Sequence, residues 1–209
     1  IRDEAGSYIA RHGRGYSRFE HAAHGIALDL LQYVPLDDPI KISRLKLHNT
    51  SSRTRHLSVT AYAEWVLGSS RTISAPFVAT EIDPVSGAMF ARNAWNAAFG
   101  SRVAFADLNG CQRDWTGDRR EFIGRNGSLQ NPAAMARTRL SGRVGAALDP
   151  CAAIQVGFDL APGQERQLVF RMGVGRGIDD ARTLVNRFRG SAAARDALSG
   201  RLDRIQIVK

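Results

Sequence analysis

The sequence predicts an all-β protein, one large antiparallel β-sandwich with a short helical segment at its C-terminal end. Three observations carry that expectation. Leu57, Val59, Ala61, Ala63, Trp65 and Leu67 fall on every odd position of one run, alternating with Ser58, Thr60, Tyr62, Glu64 and Val66. Strict period two over that length describes a half-buried strand, because successive side chains of a strand point to opposite faces. Further runs with the same period recur along the chain, separated by turn-forming residues. Helical patterning is confined to the tail.

Taken in order, Ile26, Leu28 and Leu30 mark one strand, with Asp29 on its other face. Ile40 to Leu47 marks the next. It is separated from Leu57–Leu67 by His48-Asn49-Thr50-Ser51-Ser52-Arg53, and the two strands are expected to form an antiparallel pair in one sheet. Leu57, Val59, Ala61, Ala63 and Trp65 are expected to point into the core, since a one-residue slip would turn the whole set outward. Val103 and Phe105 mark another strand. Ile154, Val156, Phe158 and Leu160 face one way on a later strand, with Ala153, Gln155, Gly157 and Asp159 on the other side. Leu168, Phe170, Met172 and Val174 repeat the pattern after Ala161-Pro162-Gly163-Gln164, and this pair reads as the clearest hairpin in the chain. Asp38-Pro39, Asp83-Pro84 and Asp149-Pro150 are read as strand entries. Asp179 is expected to cap a helix whose face is Ala181, Leu184, Val185 and Phe188, ending at Gly190. Ser191 is expected to cap an alanine-rich stretch that reaches Leu202.

The 209 residues suffice for one substantial core. No apolar run approaches the roughly 18 residues of a membrane span, so no membrane contact by this domain is expected. The chain opens on Ile1 with no signal peptide before the first strand, and it is expected to be a fragment or a processed product. The formal net charge is +9, and Lys41, Lys46 and Lys209 are the only lysines. Arginine forks suit phosphate and carboxylate groups. These arginines are scattered, without a basic block, which argues against nucleic acid. Cys111 and Cys151 lie far apart and suggest neither a disulfide framework nor a metal knuckle; reduced thiols in a cytoplasmic setting are expected.

Candidate chemistry is sparse. His12, His21 and His24 match no tight metal-binding spacing, and no metal is expected. Glu64, Glu81, Asp107, Asp118 and Glu121 are conceivable members of a carboxylate pair for glycoside chemistry, but nothing in the sequence pairs any two. Gly173-Val174-Gly175-Arg176-Gly177 ends a strand before a helix. It reads either as a weak phosphate loop or as a flexible strand-to-helix turn. Two loops are richer, Asn93–Arg102 and Trp115–Gly127, which mix tryptophan, amides, carboxylates and arginines. Such mixtures hold sugars, with rings on C–H faces and polar groups on hydroxyls. The alternative is that Trp95, Phe99 and Phe122 are core and the arginines tie loops together. Trp95, Asn96, Arg102, Trp115, Asp118, Arg119 and Arg120 are the residues expected to face a glucan or a partner domain.

Several long stretches then carry a resemblance. Arg11-His12-Gly13-x-Gly15-Tyr16-Ser17-Arg18-Phe19-Glu20-His21, Val34–Pro39 with Lys41–Leu45, Thr60–Gly68, Phe99–Phe105 and Thr116-Gly117-Asp118-Arg119-Arg120-Glu121-Phe122 resemble, in the same order, the C-terminal half of cyclic β-1,2-glucan synthases. That half is similar to the phosphorylases of glycoside hydrolase family 94. The resemblance implies a supersandwich of galactose-mutarotase-like type over 1–177, truncated at its start, and a helical linker over 178–209 leading toward an (α/α) barrel. In the family the barrel supplies the catalytic acid and inorganic phosphate is the nucleophile. No residue here matches that acid, so the chain alone is expected to be non-catalytic and without a cofactor, with phosphate relevant only to a parent enzyme. The implied partners are β-1,2-glucan, the barrel and a homodimeric copy. The implied location is the cytoplasmic face, as a soluble part of an inner-membrane protein. The alternative is a free-standing carbohydrate-binding module. Its three tryptophans, one of them assigned to a strand face, favour bracing over free binding.

Overall fold

A computed structural model describes residues 7–189. The expected helix from Ser191 to Leu202, its neighbour Gly190 and the terminal Ile205–Lys209 lie outside the described residues. Eleven strands form two sheets among those described. They are β1 (Tyr8–Gly13), β2 (Tyr16–Ala23), β3 (Ile26–Tyr33), β4 (Ile40–Asn49), β5 (Arg55–Glu64), β6 (Val78–Ile82), β7 (Met89–Asn93), β8 (Val103–Asp107), β9 (Asp114–Asp118), β10 (Pro150–Leu160) and β11 (Glu165–Gly175). The larger sheet has the order β1-β2-β3-β4-β11-β8-β7-β6, and the smaller the order β5-β10-β9. Every recorded pairing between named strands is antiparallel.

The two pairings that the sequence suggests most strongly are not formed. β4 pairs with β3 and β11, whereas β5 pairs with β10, so the two strands lie in different sheets. Likewise β10 joins the smaller sheet and β11 the larger, so Ala161–Gln164 is a tight turn between layers and not a hairpin loop. Stacked sheets lie about 10 Å apart, and four residues reach roughly 13 Å when extended, so short links suffice to change layer. One side chain holds both crossings. Asn49 is fully buried. Its Nδ2 donates to the Arg53 and Leu160 carbonyls, each at 2.8 Å. Its Oδ1 accepts from the Ser51 amide at 3.0 Å and the Ser51 hydroxyl at 2.6 Å. Its backbone N–H donates to the Gln164 carbonyl and its carbonyl accepts from the Gly163 N–H. All of the amide's donors and acceptors are thereby used at the junction of the two corners.

Three apolar layers result. Between the sheets lie Leu47, Met89, Ala104, Ala106, Ile154, Val156, Leu160 and Leu168, joined by half-buried Leu57, Val59 and Ala61 and by buried Trp65. The odd-numbered face of β5 therefore turns inward. Trp65 sits just past the strand's end, and half-buried Ala63 lines a neighbouring cleft. The even-numbered face is covered as well, because Tyr62 stacks on Phe122 at 4.6 Å. Phe122 belongs to α2 (Arg119–Ile123), a helical turn inside the stretch that the sequence leaves as loop; a shorter turn, α1 (Arg71–Ser74), precedes it in the chain. The outer face of the larger sheet carries Leu31, Tyr33, Ile42, Phe90, Phe105 and Val169, closed by Ala181, Leu184, Val185 and Phe188 of α3 (Ile178–Arg187).

α3 starts differently from the expectation. Its cap is Gly177, while Asp179 and Asp180 lie in the first turn, where negative charge favours the helix dipole. The Asp180 carboxylate accepts from the Arg176 N–H at 2.8 Å, so it occupies the approach an anion would need in the phosphate-loop reading. A Cβ on Gly175 would lie 2.4 Å from the Ala181 nitrogen, which explains this glycine as a close approach of strand to helix. At the far end of α3, buried Arg171 on β11 donates to the Phe188 carbonyl at 2.5 Å, and Arg189 pairs with buried Asp107 at 2.8 Å. Asp38-Pro39 and Asp149-Pro150 do precede strands, but Asp83-Pro84 follows β6. The Asp83 carboxylate accepts from the Ser86 amide and hydroxyl and pairs with Arg182 of α3.

Replacing Asn49 by alanine should destabilise the fold by about 1–3 kcal/mol for each buried carbonyl left without a donor. Asn49→Asp should also fail to restore stability, because a carboxylate cannot donate to Arg53 or Leu160. Urea unfolding of both variants against the parent chain measures this. A loss under about 0.5 kcal/mol, the scale of an ordinary surface change, would contradict it.

Candidate functional site

The register places the longer loops at one end of the sandwich. β4 begins opposite Gly173, β8 begins opposite Gly175, β7 ends opposite Val78, and β10 begins opposite Asp118 and close to Glu64. The loops 34–39, 65–77 and 93–102 and helix α2 therefore share that end. The opposite end has tight turns such as Ala161–Gln164.

Six of the seven residues that the sequence singles out lie at the loop-bearing end, in two groups on either side of the segment 65–77. The first group surrounds a cleft of about 630 Å³ lined by Leu67, Asn93, Asn96, Phe99 and Arg102, among others. Leu67 has φ 41°, a left-handed conformation uncommon for a leucine. Its carbonyl accepts from Asn93 Nδ2 at 3.0 Å and Asn96 Nδ2 at 3.4 Å. Asn96 Oδ1 in turn accepts from the Ala98 and Phe99 amides. Asn96 thus shapes its own loop, and its amide is spent there. Arg102 stands exposed on the rim. Trp95 is 78% exposed, with its ring 5.4 Å from that of Phe77, and Phe99 is 59% exposed. Phe122, in contrast, is core.

The second group is an ion-pair network. Glu64 Oε1 accepts from the Tyr62 hydroxyl and from Arg119 Nε, both at 2.9 Å, and Oε2 accepts from Arg71 at 3.2 Å. Asp149 pairs with the same two arginines, with Arg119 Nη1 at 3.6 Å. Asp118 caps α2 by accepting from the Arg120 N–H at 3.0 Å, and its other oxygen accepts from Arg143 at 3.2 Å. Glu121 accepts from Thr116, from the amide and hydroxyl of Ser141, and from Arg137. Arg120 is exposed and lines a cleft of about 950 Å³ together with Arg71, Arg137, Arg143 and Asp149. Trp115 belongs to neither group. It lies in β9 against the intersheet core, and its Nε1 donates to the Gly142 carbonyl at 3.2 Å.

Arg71, Arg137, Ser141, Arg143 and Asp149 join the network without having been singled out. Asp149 carries a signal in Asp149-Pro150; the others have none that a single sequence exposes. The electrostatics favour ionised carboxylates. Burial alone would push Glu64 up, but the Tyr62 and Arg119 hydrogen bonds and the Arg119 and Arg71 charges outweigh it and leave Glu64 below the usual glutamate value. Glu121 behaves alike, its burial outweighed by Ser141, Thr116 and Arg137. A glycosidic general acid needs the reverse, a carboxyl held protonated near neutrality. Among the described residues, no group of three or more His, Cys, Asp and Glu side chains is placed to hold a metal ion. His12 lies beside the Ser17 hydroxyl at 2.9 Å, and His21 stacks on Tyr8.

Acid should weaken the domain through these carboxylates. Folded Glu64, Glu121 and Asp83 bind protons less readily than in the unfolded chain. Their contribution is therefore fully present above the unfolded values, about 4.3 for Glu and 3.9 for Asp, and is lost as pH falls through the folded ones. Urea midpoints should be level from pH 7 to about 5.5 and then drop, less steeply in Glu64→Gln. An unchanged acid slope in that variant would exclude Glu64 as a contributor.

Over 192 residues the chain is 34% identical to the cyclic beta-(1,2)-glucan synthase NdvB of Rhizobium meliloti (strain 1021), covering 91% of this chain and 7% of that protein. It is 27% identical over 183 residues to the solabiose phosphorylase of Paenibacillus borealis, covering 86% of this chain and 24% of the relative. The chain thus spans less than a quarter of the length of either relative. A polysaccharide lyase shares the fold, with a TM-score of 0.50 at 11% identity over 86% of this chain and 27% of the lyase. Among the described residues, no helix is long and apolar enough to cross a membrane. The family model for the glycosyl hydrolase 94 supersandwich domain matches residues 1–191, and the chain belongs to that family.

Proposed function

We propose that this domain is a non-catalytic brace in a cyclic β-1,2-glucan synthase, holding a catalytic (α/α) barrel through the loop-bearing end of the sandwich. The observation that carries this reading is the state of the carboxylates at that end. Glu64 and Asp149 are clamped by Arg71 and Arg119, Asp118 is spent on a helix cap, and Glu121 has several donors. These groups shape a surface and leave no poised acid. Around them stand Arg120, Arg102, Trp95 and Phe99, exposed and suited to a protein face that offers carboxylates and apolar patches. A neutral glucan would use arginine only as a hydrogen-bond fork. In this reading residues 1–177 form the brace and 178–209 lead toward the barrel. The domain lies on the cytoplasmic face as a soluble part of an inner-membrane protein, and phosphate serves the barrel.

Calorimetric titration tests the proposal. The domain should bind the separately expressed barrel, more weakly after Arg120→Ala or Trp95→Ala, and bind β-1,2-glucooligosaccharides no tighter than millimolar. Arg119→Ala is a poorer probe, because it also strips Glu64 and Asp149 of a partner. Micromolar glucan binding lost on Trp95→Ala, with no affinity for the barrel, would instead make this a carbohydrate-binding module.

Catalytic assays give a second test. The isolated chain should neither hydrolyse nor phosphorolyse β-1,2-glucan, with or without phosphate, since a positioned acid alone contributes about 10²–10⁴-fold. Turnover abolished by Glu64→Gln or Glu121→Gln would overturn the proposal.

A further inference from the structure

The Trp115–Gly127 stretch ends in a dipeptide that neither the ion-pair network nor the core uses. Asn126-Gly127 is one of two Asn-Gly pairs in the chain, the other being Asn109-Gly110. Asparagine before glycine is a reactive sequence. The glycine nitrogen, once its proton is lost to hydroxide, can attack Cγ of the asparagine, because glycine has no Cβ to obstruct the approach. The new C–N bond closes a five-membered succinimide, and the carboxamide nitrogen takes up a proton and leaves as ammonia. Water then opens the ring at one of its two carbonyls. Cleavage at Cγ gives aspartate. Cleavage at the main-chain carbonyl gives isoaspartate, in which the chain runs through the side-chain carbon. The net exchange is an amino group for a hydroxyl, with water consumed and ammonia released.

The folded chain treats the two pairs differently. The Gly110 N–H donates to Asp107 Oδ1 at 3.1 Å. Asp107 is fully buried and pairs with Arg189 at 2.8 Å and Arg171 at 3.6 Å, so this acceptor is fixed in place. A carboxylate at that distance holds the Gly110 proton and disfavours the nitrogen anion that must attack. Asn109 has an interaction partner of its own. Asn126 and Gly127 are both exposed, in a turn between α2 and the isolated bridge of Ser128 with Asn131. Among the described residues the Asn126 carboxamide makes no hydrogen bond. The Gly127 N–H reaches the Gly124 carbonyl at 3.4 Å, longer than an ordinary N–H···O bond. Packing explains why glycine stands there at all, since a Cβ on residue 127 would lie 1.8 Å from the Ile123 carbonyl oxygen. The reactive pair is thus a by-product of a close approach to the end of α2.

We infer that Asn126 is a site of spontaneous covalent modification, converting through a succinimide to isoaspartate and aspartate, while the fold protects Asn109. The product adds a negative charge to a stretch that holds Arg119, Arg120 and Arg125. Its isoaspartyl form also inserts a main-chain carbon beside Ile123. Phe122 and Ile123 cover the outer face of the smaller sheet, so the altered turn loosens the cover over Tyr62. The inference is independent of the proposed bracing role.

Peptide mapping by mass spectrometry tests it, on the 209-residue chain incubated in heavy-oxygen water at neutral and mildly alkaline pH. The peptide holding Asn126 should gain one heavy oxygen, at a rate rising with hydroxide, and should elute as two isomers. Its conversion should run on the order of 10–100-fold faster than that of the Asn109 peptide, the scale of one charge-assisted hydrogen bond. In urea, where Asp107 no longer holds Gly110, the two rates should converge. Asn126→Gln should remove the acidic species that the folded chain accumulates in isoelectric focusing, because the longer side chain must close a larger ring. Conversion of Asn109 as fast as Asn126 in the folded chain would overturn the inference. So would an unreacted Asn126 in the folded chain when both sites react in urea.

Discussion

The architecture turns on one buried amide. Asn49 joins the corner where β4 passes to β5 with the corner where β10 passes to β11, and it does so with main chain and side chain together. Two layer changes at one place would otherwise bury several carbonyls and N–H groups without partners, each a cost of about 1–3 kcal/mol. A carboxylate lacks the donors, and a longer amide would move them out of reach. The intersheet core can be almost wholly apolar because this polar junction is confined to its rim.

A second polar element stands on the other side of the larger sheet. Arg171 and Asp107 are directly paired positions on β11 and β8, both fully buried, with side chains 3.6 Å apart. Burial pulls the Arg171 guanidinium below its ordinary value, opposed by the Asp107 charge. A pair so deep contributes less to net stability than to placement. It grips the Phe188 carbonyl and, through Asp107, Arg189, and so fixes where α3 ends on the sheet. The chain leaving the sandwich thus starts from a set position, while the other end of the molecule presents the loops.

What the sequence disclosed follows the range of each interaction. Strand existence and inward faces were legible in the Leu57–Leu67 and Ile154–Leu160 runs, because alternation is local and each strand has one strongly apolar side. The partner of β5 was not legible, since it lies about a hundred residues away and is chosen by the layer change at Asn49. Ala161-Pro162-Gly163-Gln164 announced a turn and was silent on whether the turn stayed within a sheet. Asp118 was singled out as surface-facing chemistry and proved to be a helix cap, a role also encoded by its side chain but decided by the short helix behind it. The candidate residues were recognisable by type. Their division between two clefts, and Trp115's place in neither, depended on contacts across the sandwich.

The order in which the strands enter the sheets has a bearing on synthesis. β10 is the middle strand of the smaller sheet and β11 joins the two halves of the larger one. Until Leu160 has left the ribosome, β5 and β9 have no complete strand between them, and until Gly175 has left it the β1–β4 meander cannot meet β6–β8. The 149 residues before β10 must therefore wait, with their alternating apolar faces open, for these two strands. Such long-range closure is slow compared with local pairing. This is a domain whose nascent form needs shielding, and a pause in translation before residue 150 would be a more hazardous event than one after β11.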